Sequence, residues 1–181
     1  MSTTSTLQTT HSFQPIDKDG LAALAEKGKN DTRAIRTVRC RTVAEGKKFR
    51  HQNFIRNLPA HIVDEPPGLL GDDTAPNPTE AVLAALGSCV SVGIQANAVA
   101  RGYTLRSIEL ELEGDINITS VWGVGNLSPQ TLGLTAVRIK AKVEADGATQ
   151  AQLDDLVAHA AKWSPVLNTL TNPVPVDVKR G

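Results

Sequence analysis

Between Glu80 and Arg101 the chain carries no charge, and the run AVLAALGSCVSVGIQANAVA is apolar or small at every angle around a helix. Its ends are well marked. Asn77 is a good N-cap, Pro78 suits the first helical position and Glu80 completes a capping box, while Arg101 and Gly102 close the segment. This pattern predicts a long helix with no wet face, buried on all sides. After it, Leu105, Ile108, Leu110 and Leu112 mix with Glu109, Glu111 and Glu113, and Val137, Ile139, Ala141 and Val143 alternate with Arg138, Lys140, Lys142 and Glu144. These read as two strands, each with one wet face. One wet face is acidic and the other mostly basic, which favours pairing them in an antiparallel sheet. Residues 119–131, with Trp122 and several glycines, read as the connecting loop.

Upstream, alternation from Arg33 to Val43 and again from Lys48 to Asn57, with Glu45-Gly46 between, predicts a hairpin rich in arginine. The stretch from Leu58 to Pro76 is dense in Pro, Gly and Asp and reads as a loop leading into the helix. Downstream, Thr149 with Gln152 opens a helix whose stripe is Leu153, Leu156, Val157 and Ala160. Ser164-Pro165 then starts a short helix ending near Asn172-Pro173, and Val174–Val178 reads as a final strand. Residues 1–32 are assigned to an N-terminal tail, unpatterned to about residue 15 and with a short helix around Leu21 and Leu24. Residues 33–181 form one domain. The fold class is α+β: antiparallel sheets packed by helices around a long buried central helix.

Composition narrows the function classes. The chain has 181 residues, 40% hydrophobic but only 3% aromatic, so small aliphatic side chains must build the core. A net charge of zero removes the whole-molecule electrostatic case for nucleic acid or an anionic membrane. About 20 uncharged residues would suffice to cross a bilayer. Ser88, Ser91, Gln95 and Asn97, and the strands that follow at once, favour a core helix instead. The N-terminal stretch lacks the pattern of a secretory or transit peptide, which leaves a cytoplasmic protein as the expectation. Two cysteines give neither a disulfide framework nor a metal-ligand spacing, and they suit a reducing compartment. His51, His61 and His159 show no ligand spacing either, so neither metal nor cofactor is expected.

The candidate chemistry centres on Cys89. A thiol in apolar surroundings resists ionisation and is inert, so from the residues alone Cys89 reads as packing among Ala85, Leu86, Val92 and Gly93. A nucleophilic reading requires a cation, and the basic hairpin is the source of one. Cys40, beside Val38, reads as core.

The stretch DEPPGLLGDDTAPNPTEAVLAALGSCVSVGIQANAVARGY, followed by LVAHAAKWSPVLNTLTNPVPVDV, resembles the OsmC/Ohr family from about residue 33 to the end. The N-P-x-E start, the A-A-L-G-x-C centre and the S-P-V turn before V-P-V carry the resemblance together. It implies an intertwined homodimer with its reactive sites at the subunit interface. It also implies reduction of organic hydroperoxides, with Cys89 matching the cysteine that attacks the peroxide. The family's second cysteine falls on Ser164, so an external thiol would have to regenerate the site. The family's glutamate, ten residues before the cysteine, falls on Thr79. Glu80 is nine helical steps from Cys89, on nearly the opposite face and about 13 Å along the axis, and reads as a cap. The arginine that activates the thiolate would come from Arg39, Arg41, Arg50 or Arg56, with Arg56 the first choice. Cys89, Arg56 and Ser164 are therefore the expected catalytic residues of a one-cysteine peroxidase. The alternative is a non-catalytic OsmC-like dimer binding a small apolar or anionic ligand in its interface pocket. A small-molecule hydroperoxide, a thiol reductant and a second copy are the expected partners; nucleic acid and membrane are not.

Overall fold

The computed structural model describes residues 13–118, 121–124 and 132–181. The unpatterned start of the tail, and most of the loop read between 119 and 131, lie outside the described residues. Helix α1 spans Lys18–Asn30 and buries none of its residues. Strands β1 (Arg41–Ala44), β2 (His51–Phe54) and β3 (His61–Val63) form an antiparallel sheet in the order β1-β2-β3. The hairpin is present but shorter than the alternation suggested, pairing Arg41 with Phe54 and Ala44 with His51. Gly46, at φ 74°, makes the turn in the left-handed region that favours glycine.

Helix α2 runs Pro78–Arg101 with both halves of its capping box formed. The Asn77 side chain accepts from the Glu80 N–H, and the Glu80 carboxylate accepts from the Asn77 N–H. At its other end Gly102 takes φ 78°, and the Tyr103 N–H donates back to the Ala98 carbonyl. Strands β4 (Thr104–Asn117) and β5 (Gly133–Asp146) pair antiparallel, setting Glu109 opposite Lys142, Glu111 opposite Lys140 and Glu113 opposite Arg138. The acidic and basic wet faces therefore meet as the pattern suggested, with Arg138 gripping Asp115 through two bonds of 2.6 and 2.8 Å. Helices α3 (Gln150–Lys162) and α4 (Pro165–Thr171) follow, capped by Thr149 and Ser164.

The core lies where α2 and α3 cross over the long β4–β5 hairpin. Leu86, Val90, Ile94 and Ala98 of α2 meet Leu153, Leu156 and Ala160 of α3, and Leu105, Leu110, Leu112 and Val143 cover them from the sheet. Gly93 sets the approach of the helices, since a Cβ there would lie 3.1 Å from the Ala160 Cβ.

Four expectations change. His61–Val63, within the stretch read as a loop, pairs with β2 as strand β3, its Ile62-Val63 apolar among the Pro and Gly residues that suggested loop. Helix α2 is buried along one stripe rather than on every face: Val92 is 64% exposed, and Ala84, Ala85 and Ser88 are also exposed. Small apolar residues around a helix mean that all faces tolerate burial, and a single chain supplies cover for only one of them. Cys40 is exposed, not core, because the strand begins only at Arg41 and nothing covers the preceding segment, where Val38 is 91% exposed. Val174–Val178 forms no strand, since no edge of either sheet runs beside it, and Val174, Val176 and Val178 are exposed.

Candidate functional site

Cys89 projects from the middle of α2 and is half-buried. The side chain that reaches it comes from 75 residues later: Ser164 Oγ lies 3.2 Å from Cys89 Sγ. Local sequence fixes Ser164 firmly. As N-cap of α4 its Oγ accepts from the Leu167 N–H at 3.2 Å, its own N–H donates to the Ala161 carbonyl at the end of α3, and the Asn168 amide donates to its carbonyl at 2.9 Å. Only 2% of Ser164 is exposed, so its hydroxyl has little access to solvent.

An open, largely apolar groove of about 720 Å³ lies between α2, β5 and α4, lined by Thr79, Val82, Leu86, Ile139, Leu167 and Leu170 among others. Neither Cys89 nor Ser164 lines it, but each lies about one helical turn from a residue that does. Cys89 follows Leu86 by about one turn and shares a face with Val82, seven residues before it, and Ser164 precedes Leu167 by about one turn. Thr79, at the position where the family carries a glutamate, faces this groove, whereas Glu80 is occupied at the cap. The sequence had marked Leu167 and Leu170 only as part of a short helix. Their apolar spacing was visible, but not that it would stand open beside β5.

The arginines are not brought to the thiol within one chain. Arg50 donates to Glu45 and to the Thr74 hydroxyl, and Arg41 lies over the Phe54 ring at 4.3 Å from its centroid. Arg39 and Arg56 are exposed, and Arg56 sits in a turn at φ 54°. Among the described residues no contact joins any of the four to Cys89, whose hydrogen bond is to Ser164.

A second polar cluster organises the loop before α2, where no residue pattern had marked it. Asp64, 1% exposed, accepts from the Thr74 hydroxyl at 2.7 Å, the Thr74 N–H at 3.1 Å and the Glu65 N–H at 2.8 Å. The Thr74 hydroxyl bond, with the backbone bonds, holds its carboxyl down at about 2. Neighbouring Glu65 is pushed up, by burial first and then by the charges of Asp64 and Glu80. Thr74 also receives Arg50, so the hairpin and the loop are pinned together where the chain enters α2. Among the described residues no group of three or more His, Cys, Asp or Glu side chains is placed to hold a metal ion.

A family model described as OsmC-like protein matches residues 71–179, the segment that carries α2, both long strands, Cys89 and Ser164. No curated protein matches the chain. Solved structures with the same fold include an OsmC-like protein of Mycoplasma pneumoniae, 14% identical, with a TM-score of 0.64 over 76% of this chain and 89% of that one. An OsmC-like protein of Vibrio cholerae is 16% identical, with a TM-score of 0.62 over 75% of this chain and 94% of that one. An organic hydroperoxide resistance protein OsmC of Legionella pneumophila is 18% identical, with a TM-score of 0.55 over 76% and 91%. Those identities speak for the fold, while the sequence match spans more than half of the chain; on that match, the protein belongs to the OsmC-like family.

Proposed function

We propose that the protein is a thiol-dependent peroxidase that reduces organic hydroperoxides through Cys89 alone. The observation that supports this most is the placement of a half-buried Cys89 Sγ against Ser164 Oγ, with an apolar groove lined by Leu86 and Leu167, each about one helical turn from that pair. An organic hydroperoxide has an apolar body and one reactive polar end, which suits such a groove. The Cys89 thiolate attacks the outer peroxide oxygen, the O–O bond breaks, and the departing alkoxide takes a proton to leave as the alcohol, with Cys89 oxidised to a sulfenic acid. A first external thiol condenses with the sulfenic acid, releasing water and forming a mixed disulfide. A second thiol then displaces Cys89 and leaves as the disulfide of the two reductants. Because Ser164 has no sulfur, the side chain that touches Cys89 within the chain cannot compete for the sulfenic acid.

The cation that favours the thiolate comes, in this reading, from the hairpin of a second copy in a homodimer. Arg50 and Arg41 are already engaged in their own chain, which leaves Arg39 and Arg56; Arg56, leading into the loop before α2, is the arginine assigned. Catalysis and regeneration need only soluble partners, consistent with a cytoplasmic setting. A second reading, a dimer that binds a small apolar or anionic molecule without turnover, is favoured by the groove together with the absence, among the described residues of one chain, of a cation in contact with Cys89.

Consumption of cumene hydroperoxide with dithiothreitol or dihydrolipoamide as reductant separates the two readings. Peroxidase chemistry predicts turnover by the native chain and its loss in Cys89→Ser. Turnover no faster than the uncatalysed reaction, or turnover that persists in Cys89→Ser, refutes it.

A further inference from the structure

The hydroxyl of Ser164 has one proton to give and two lone pairs to fill. The Leu167 N–H takes a lone pair at 3.2 Å, and the residue is 2% exposed, so water offers the proton little alternative. The acceptor within reach is Cys89 Sγ, also at 3.2 Å. A cap alone would require only the bond from Leu167. The second bond reaches across from α4 to α2 and ends on the atom to which the peroxidase reading assigns the chemistry.

We infer that Ser164 is a thiolate-holding residue: its hydroxyl, oriented by the Leu167 N–H, donates its proton to Cys89 Sγ. This rests on the peroxidase reading for its purpose. A donor aimed at sulfur stabilises the thiolate relative to the thiol, raising the fraction of Cys89 ready to attack. After attack the same donor faces the sulfenate. A hydrogen bond thus stands in the position where a second cysteine would form a covalent bond. The spacing also makes a prediction about that bond: an Sγ in place of the Ser164 Oγ needs only to close from the present 3.2 Å to a disulfide length of about 2.05 Å.

The test reads Cys89 alkylation by iodoacetamide from about pH 5 to about pH 10, in a Cys40→Ser background so that the exposed thiol does not report. Ser164→Ala removes both cap and donor. Ser164→Gly also lacks the hydroxyl but is well tolerated at an N-cap and brings no charge to the sulfur, which guards against simple misfolding. Both are expected to move the rate profile to higher pH and to slow alkylation near neutrality by about tenfold, the worth of a hydrogen bond to a charged group. Ser164→Thr, which keeps the hydroxyl, should restore the native profile. Ser164→Cys should lose two hydrogens as an intrachain disulfide with Cys89 when given one equivalent of cumene hydroperoxide, the sulfenic acid and the new thiol condensing with release of water. Native profiles in both Ser164→Ala and Ser164→Gly overturn the inference. So does a Ser164→Cys chain whose oxidised Cys89 forms no bond to residue 164. The alkylation profile is read without peroxide, so failure of this inference and failure of the peroxidase reading are separate results.

Discussion

Asp64 shows how one carboxylate can hold a loop. Buried and bonded to Thr74 and Glu65, its carboxyl is held at about 2 against an ordinary 3.8. A carboxyl depressed in the folded state contributes stability that is fully present above its ordinary value and is lost as pH falls through the folded one. The melting temperature should therefore fall between about pH 4 and pH 2. Asp64→Asn should melt several degrees below the native chain at neutral pH and show a shallower acid limb, the remainder belonging to Glu45, Glu111 and Asp115, whose carboxyls their partners also lower; thermal melts across that range check it, and an unaltered limb would refute it. The sequence did not mark Asp64, because its role depends on Thr74 folding back ten residues later. Ser164 was more legible, since Ser before Pro announces a helix cap. Cys40 misled: its alternation with Val38 and Thr42 describes which way side chains point, not whether anything covers them.

At the scale of elements, the long helix was the most readable feature. Asn77, Pro78, Glu80 and Gly102 fix its ends through backbone bonds that depend on nearby residues only. The charged ladder of β4 and β5 was readable for a similar reason, because register sets Glu109, Glu111 and Glu113 against Lys142, Lys140 and Arg138. What could not be read was how the cover of α2 is divided. One stripe packs on α3 and the sheet, while Val82 and Val92 stand open although no charge interrupts them. In the proposed homodimer this open face is where a second copy packs. Val92→Glu should then convert a particle of twice 19.2 kDa into one of 19.2 kDa, with its helix content retained. Light scattering and far-ultraviolet circular dichroism read both quantities. A native chain of 19.2 kDa, or a variant that still associates, contradicts the dimer.

Over the whole molecule, the pattern of strands, helix, strands and helices was enough to place the chain in the α+β class with its core around the long helix; that this helix lies across β4 and β5 comes from the fold. The ends behaved differently. The sheet of β1, β2 and β3 makes its contacts mainly within itself, and the valines from Val174 to Val178 lie open beside no strand. A chain that leaves both a small sheet and an alternating apolar segment uncovered is consistent with a second copy completing it. The proposed site follows the same division, with Cys89, Ser164 and the groove inside one chain and the activating arginine from the other.

The two cysteines provide their own internal comparison. Cys40 is the more exposed, so a chemistry governed by access alone would oxidise it first. The measurement is mass spectrometry of the native chain after one equivalent of cumene hydroperoxide, with dimedone present to trap sulfenic acid on whichever cysteine forms it. The adduct is expected on Cys89, with Cys40 left as the free thiol. Labelling of Cys40 first, or of both at equal rates, would contradict a site built around Cys89.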